Sequence, residues 1–328
     1  MNAQSPVRVS VVVPTYRRPD LLARCLAALQ RQTLAAGSYE IIVCDDGPSE
    51  DAYTVACNAV AAMPGGPSIR YLPITATQGP AAARNRGWQE ASAPVIAYTD
   101  DDTVPDPAWL VEGLEVMAGG AAAATGRIVM PLPANPSDIE LDAAGLTRAE
   151  FVTANCFIRR DVLSAVKGFD ERFGMAWRED SDLHFTLLEG GYIVARAPRA
   201  RVVHPLREMR FAAGIRMQKK VLFDVLLYRK HPQLYRQRIR QGPPWFYLFI
   251  SASLLLALLF ALMGRVELAV LAFAGWGGAT LLFFLRRLAQ SALTVRNASE
   301  LFVTSLFIPP FSIFWRLVGA SRFGARLP

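Results

Sequence analysis

No pair among the four cysteines, Cys25, Cys44, Cys57 and Cys156, stands in a CxxC spacing, and charged residues reach only 19% of the 328. The first absence speaks against a zinc site or a secreted disulfide scaffold. The second, set against a usual share of about 25%, excludes a disordered chain, a coiled coil and a highly charged nucleic-acid-binding tail. The N-terminal stretch MNAQSPVRVS has no apolar core, so no cleavable signal peptide is expected. Internal repeats and low-complexity tracts are lacking. So is a Ser-His-Asp or Cys-His set for covalent catalysis.

What is present is apolar and unevenly charged. Hydrophobic residues make up 52%, in a length that suits two units. Residues 1–195 carry 15 Lys+Arg against 24 Asp+Glu, net −9. Residues 196–240 carry 13 against 2, net +11, and residues 241–328 carry 7 against 2, net +5. An acidic part is thus followed by a basic belt and then by an apolar tail, a layout that points to a membrane surface or another anionic partner.

Pro243 to Gly264 runs 22 residues without a charge, and Leu268 to Leu285 adds 18 more after a short Arg265-Val266-Glu267 break. At 1.5 Å per residue the first run reaches about 33 Å, enough for a hydrocarbon core of about 30 Å. Trp245 and Tyr247 mark its edge as interfacial aromatics do. The basic belt precedes this hairpin and Arg286, Arg287 and Arg296 follow it, so both ends are expected in the cytoplasm. A third apolar run, Leu301 to Trp315, carries Pro309-Pro310 in its middle. Adjacent prolines break helices, and crossing would place Arg316, Arg322 and Arg326 outside. The segment 301–316 is therefore expected to be interfacial or re-entrant. Segment 207–240 mixes apolar positions with Arg and Lys at helical spacing, which fits amphipathic helices on anionic lipid or an ordinary solvated helix face. Lipid accounts for the basic belt, and no nucleic-acid partner is expected. Residues 131–142 read as a surface loop.

Before the belt, Val7–Val13, Tyr39–Cys44, Ile69–Ile74 and Val95–Thr99 read as buried strands. Helical patterns lie between them, at Leu21–Gln32 and at the Ala-rich Gly79–Ala91. This alternation argues an α/β fold with a mostly parallel sheet, flanked by helices. Polar residues gather where strands end, the place where open α/β sheets bind ligands.

Those strand ends hold the candidate chemistry. Asp100-Asp101-Asp102 offers oxygen ligands for Mg²⁺ or Mn²⁺, and equally fits a solvated turn or a cap for the helix beginning near Pro107. Asp45-Asp46-Gly47 fits a base- or ribose-binding carboxylate as well as an Asx-turn. Arg84 and Arg86, near a helix start, suit a diphosphate, with a solvated surface pair as the other reading. Glu179-Asp180 at a helix start fits either a cap or a general base. His204 is a candidate for metal or phosphate contact, although a lone histidine is more often structural.

Taken in order, VSVVVPTYRRPDLLARCLAALQRQT, EIIVCDDG, GPAAARNRGW, VIAYTDDDTVPDPAWL, TANCFIRRDVLSAVKGFDERF and REDSDLHFTLLEGGY resemble the family-two inverting glycosyltransferases. The resemblance covers roughly residues 7–205. It implies a GT-A fold, a nucleoside-diphosphate-sugar donor and a divalent metal, Mg²⁺ or Mn²⁺. By position it places Pro14, Thr15 and Tyr16 at the nucleobase and Asp46, with Asp45 beside it, on uracil or an equivalent base. It makes Asp100 and Asp102 the DxD motif, with Asp102 the main metal ligand and Asp100 nearer the ribose, an assignment that the acidic Asp101 could shift by one. It places Thr153-Ala154-Asn155 on the acceptor side, and makes Asp180 the catalytic base with Glu179 as its partner. The Q-x-x-R-W sequence of processive members is lacking, which favours transfer of a single sugar. The expected organisation is a GT-A domain at 1–205, basic interfacial helices at 206–242 and a membrane hairpin with its appended segment at 243–328. The expected activity is transfer from a nucleotide sugar, with UDP the common carrier, to a lipid-linked or cell-surface glycan at the cytoplasmic face of the inner membrane. A polyprenyl-phosphate sugar synthase and an inactive membrane-tethered binding protein of the same fold are the alternatives.

Overall fold

A computed structural model of the chain describes residues 7–325; the expectations that rest on Met1–Pro6 and on Arg326 lie outside it. Two compact units emerge, Met1–Pro131 with Leu146–Leu206, and Leu132–Gly145 with Arg207–Pro328.

The first unit opens with β1 (Val9–Thr15), whose β-branched run is buried on both faces, then α1 (Pro19–Gln30), entered through a proline at its first turn. Next come β2 (Tyr39–Asp45), α2 (Glu50–Ala62), β3 (Ser68–Pro73), α3 (Pro80–Glu90) and β4 (Val95–Tyr98). The short β5 (Val104–Pro105), α4 (Trp109–Ala118) and β6 (Ala123–Val129) follow. The chain then passes through α5 (Asp138–Ala144), which belongs to the second unit. It returns for β7 (Cys156–Arg159), α6 (Arg160–Val166), α7 (Glu179–Glu189) and β8 (Val194–Val203).

The eight strands form one sheet in the order β3-β2-β1-β4-β7-β6-β8-β5. β3, β2, β1 and β4 are parallel, as the alternation predicts, with Val12 opposite Tyr98 and Thr15 opposite Asp45. Beyond β4 the sheet is mixed, because β7 pairs antiparallel with both β4 and β6, and β5 antiparallel with β8. The carboxyl ends of β1, β2 and β4 therefore lie side by side at one edge. Both sheet faces are covered by apolar packing, with Leu22, Leu26, Leu29 and Trp109 on one side and Ile42, Ile96, Tyr98 and Ile158 on the other.

The second unit holds α5 together with α8 (Ala213–Met217), α9 (Leu222–Lys230), α10 (Pro232–Arg238), α11 (Trp245–Leu262), α12 (Val266–Leu288) and α13 (Val295–Phe323). Three expectations are corrected here. Residues 131–142 are not all loop, since Ser137 and Glu140 form a reciprocal capping box that starts α5. In α9 the run Leu222–Leu227 is buried by packing on α13 rather than presented outward as an amphipathic face.

The third correction concerns Pro309-Pro310, which do not break α13. Each proline removes a helical donor, at a cost of about 3 kcal/mol or more in a helix interior. Packing of α13 on α9, α11 and α12 offsets that cost. So do polar ties: Arg287 donates to Thr304 Oγ1 (2.9 Å) and Ser305 Oγ (3.2 Å), one turn before the prolines, and to Asp138 of α5 (2.6 Å). Arg316 of α13 pairs with Asp224 of α9 at 3.0 Å, both buried. Among the described residues the second unit thus has three helices long and apolar enough to cross a membrane, α11, α12 and α13, and the first two present most of their leucines outward.

Candidate active site

The turn after β4 is built by hydroxyls. Thr99 Oγ1 donates to Thr103 Oγ1 at 2.7 Å, and Thr103 Oγ1 donates to the Asp100 carbonyl at 2.8 Å. The carbonyl of Ala154 stands 3.1 Å from Thr99 Oγ1. This staple sends the three successive carboxylates in different directions. Asp101 turns inward, where Thr15 Oγ1 donates to it at 2.8 Å and Arg18 at 3.3 Å, while burial pushes its pKa up. Asp100 and Asp102 instead meet His204, which stands just after β8, its own N–H held by the Val129 carbonyl at 2.8 Å. Ligand atoms of these three residues lie within 4.8 Å of one another, with His204 Nε2 3.7 Å from Asp102 Oδ1. Two carboxylate oxygens and an imidazole nitrogen suit a hard or borderline divalent ion such as Mn²⁺ or Mg²⁺. His204 thus stands in a cluster with Asp100 and Asp102, and the middle aspartate is not part of it.

At the end of β2 the two aspartates also divide their work. Asp45 accepts from Gly47 N, Ser49 N and the Tyr71 hydroxyl, which makes it the organiser of the β2–α2 turn. Asp46 accepts from Gly79 N at 2.6 Å, and burial raises its pKa. Gly79 adopts φ +120°, a conformation closed to residues with a Cβ, and so brings its N–H onto Asp46 at the start of α3. Pro14 is half-buried, and Tyr16 is exposed over Gly47, where a Cβ would stand 2.6 Å from the Tyr16 ring.

Arg84 of α3 is buried, its guanidinium donating to Asp100 at 2.9 Å and to Glu179 at 3.1 Å. Arg86 is exposed and pairs with Glu90 one turn on, the ordinary surface reading. α7 is entered through Arg178 in the left-handed region, φ +75°, and carries Glu179 and Asp180 in its first turn. Burial, opposed by Arg84 and reinforced by Asp180, pushes the Glu179 carboxyl up to about 7. Its Oε2 is buried without a hydrogen-bond partner among the described residues. Burial raises Asp180 too, against the Ser181 N–H that donates to Oδ1 at 2.6 Å. Thr153, Ala154 and Asn155 are all buried. The Asn155 amide bonds to Arg127 O, Ala200 O and Trp109 Nε1, so its side chain braces the sheet.

The raised Glu179 pKa carries a sign. A carboxyl raised from 4.5 to about 7 binds its proton more tightly in the folded state. Its stabilisation is full below about 4.5 and lost as pH rises through about 7. The melting temperature of Glu179→Gln relative to the unmutated protein should therefore climb between pH 5 and pH 8. A difference that stays constant across that window would show that Glu179 titrates normally.

Sequence reading alone misses the partners of these groups. Arg18 and Thr15 on Asp101, and Glu179 on Arg84, lie 83, 86 and 95 residues away along the chain, and no local pattern connects them.

The sequence matches the glycosyl transferase family 2 description over residues 10–166 and that of glycosyl transferase family group 2 over residues 95–286. It is 26% identical to the glycosyltransferase AglE of Haloferax volcanii over 211 residues, 61% of this chain and 67% of that protein. It is 36% identical to the validoxylamine A glucosyltransferase of Streptomyces hygroscopicus subsp. jinggangensis over 117 residues, 35% of this chain but only 26% of that one. A GalNAc(5)-diNAcBac-PP-undecaprenol beta-1,3-glucosyltransferase of Campylobacter jejuni shares 34% identity over 96 residues, 29% of each chain. Among solved structures, the mannosyltransferase PcManGT of Pyrobaculum calidifontis, in complex with GDP-Man and Mn²⁺, superposes with a TM-score of 0.59 at 18% identity, covering 96% of this chain and 90% of that one.

Proposed function

The chain belongs to glycosyl transferase family group 2, and from that premise we propose that it moves one sugar, with inversion, from a nucleoside-diphosphate sugar to a hydroxyl of a lipid-linked or cell-surface glycan at the cytoplasmic face of the inner membrane. The observation that carries the reading is one edge of the sheet. There the Asp100–Asp102–His204 cluster, Asp46 and the Glu179–Asp180 pair stand at the ends of β4, β8 and β2 and at the start of α7.

In this reading the nucleobase lies against Pro14 and Tyr16 and is gripped by Asp46, whose carboxylate Gly79 already orients. Asp100, Asp102 and His204 would hold a divalent cation, which when bound supplies positive charge to the departing diphosphate. Asp180 takes the proton of the acceptor hydroxyl as that oxygen bonds to the anomeric carbon and the bond to the diphosphate breaks. One displacement gives one inversion, and no covalent intermediate forms on the protein. The Ser181 N–H fixes Oδ1, leaving Oδ2 to receive the proton. The raised pKa of Asp180 makes it a stronger base than an exposed aspartate.

A lipid-borne acceptor is supported by the basic stretch 196–240, by the three apolar helices, and by a relative named for a PP-undecaprenol acceptor. The test is a donor screen on detergent-purified protein, following nucleoside-diphosphate release with Mn²⁺ or Mg²⁺, with and without membrane lipid extract. The expected result is release from one nucleotide sugar, stimulated by the extract. Lipid-independent release would move the acceptor to soluble saccharides. No release and no nucleotide binding would overturn the enzymatic reading.

A further inference from the structure

Arg84 stands where two repelling groups must be kept together. Asp100 belongs to the turn after β4 and Glu179 to the start of α7, and both are carboxylates. The Arg84 guanidinium spans them, Nη2 to Asp100 Oδ1 at 2.9 Å and Nη1 to Glu179 Oε1 at 3.1 Å. The side chain is 4% exposed, with the Phe169 ring 5.9 Å from its guanidinium carbon. Each terminal nitrogen thus gives one N–H to a protein carboxylate, and Nε is buried without a hydrogen-bond partner among the described residues. α3 itself is packed tightly beneath the sheet, since a Cβ on Gly87 would stand 2.3 Å from Val12. The anchor of the bridge is fixed at its base as well as at its tip.

We propose that Arg84 is a positioning residue, setting the spacing between the cation-side aspartates and the Glu179–Asp180 pair, and not a ligand of the donor's diphosphate. The inference rests on the reading of Asp180 as the base. A single inverting displacement needs the attacking oxygen, the anomeric carbon and the leaving oxygen in line. The base attends one end of that line and the diphosphate's counter-charge the other. A misplacement of about 1 Å between the two costs about 100-fold in rate. Arginine suits the task because its planar fork addresses two carboxylates at once, whereas a lysine ammonium is a point charge.

The test compares Arg84→Lys, Glu179→Ala and the double variant, alanine being chosen because a glutamine carbonyl could still accept from Arg84. The readouts are kcat, donor KM, and Mn²⁺-dependent nucleoside-diphosphate binding by calorimetry. Arg84→Lys should lower kcat about 100-fold while nucleoside-diphosphate affinity and donor KM stay within about threefold. Glu179→Ala should do the same, and the double variant should cost no more than the worse single change, because both cut one bridge. Should Arg84→Lys fail to fold, Glu179→Ala alone must still separate kcat from binding. A large loss of nucleoside-diphosphate affinity in Arg84→Lys with kcat preserved would make Arg84 a diphosphate ligand and overturn the proposal. So would multiplicative losses in the double variant. If the unmutated protein binds nucleotide yet transfers nothing, the transferase reading fails by itself. Unchanged affinity in Arg84→Lys would then still exclude the diphosphate-ligand role.

Discussion

Replacing Asp180 by Asn should leave folding and nucleotide binding intact and lower kcat for transfer to a hydroxyl by about 10²–10⁴-fold, the usual range for losing a general base. The amide keeps the shape of the carboxylate and can still accept from the Ser181 N–H through its carbonyl, so a structural role would barely register. The acceptor proton, however, has nowhere to go. Initial rates at saturating donor and acceptor, with calorimetric nucleotide binding as the control, separate the two. A variant with full activity would sink the assignment and favour an acceptor that arrives already ionised, such as a lipid phosphate.

Asp102→Ala should abolish metal-dependent nucleotide binding and depress kcat/KM by several orders of magnitude. Counter-charge at a departing diphosphate is worth several kcal/mol, and each 1.36 kcal/mol is tenfold. Asp102 is buried against His204, so its removal dismantles the cluster rather than trimming its rim. The neighbouring Asp101→Asn is the informative contrast. Its carboxylate serves Thr15 and Arg18, so the substitution should lower thermal stability and leave Mn²⁺ affinity unchanged. Equal loss of Mn²⁺ affinity in both variants would show that the triplet binds metal as a block.

That contrast also marks where sequence reading stops. The alternation of apolar strands and helices made the first half of the sheet legible, because β1, β2 and β4 carry mostly buried apolar runs, while β3, read as buried, lies at the sheet edge and is only partly covered. β6, β7 and β8 carry small, charged or alternating residues and take their places through pairing with distant strands, which no local pattern records. Three adjacent aspartates look equivalent in the chain. Only the Thr99–Thr103 staple and the reach of Thr15 and Arg18 make them different. The bonds of Asn155 are hidden for a related reason, since its amide meets Ala200 and Trp109, 45 and 46 residues away. Pro309-Pro310 misled in the opposite sense, since a strong local rule yielded to packing on three other helices.

The excursion at 132–145 has a practical consequence for dissecting this protein. A fragment ending at Leu206 would carry α5 without its partners. Asp138 would lose Arg287 and Asn297, and Pro136 O would lose the Ala292 N–H. An orphaned acidic helix would hang from the catalytic fragment as an unsupported flap, inviting proteolysis and aggregation. A soluble catalytic fragment therefore calls for two edits instead of one, a stop after Leu206 and a short Gly/Ser connector joining Pro131 to Leu146.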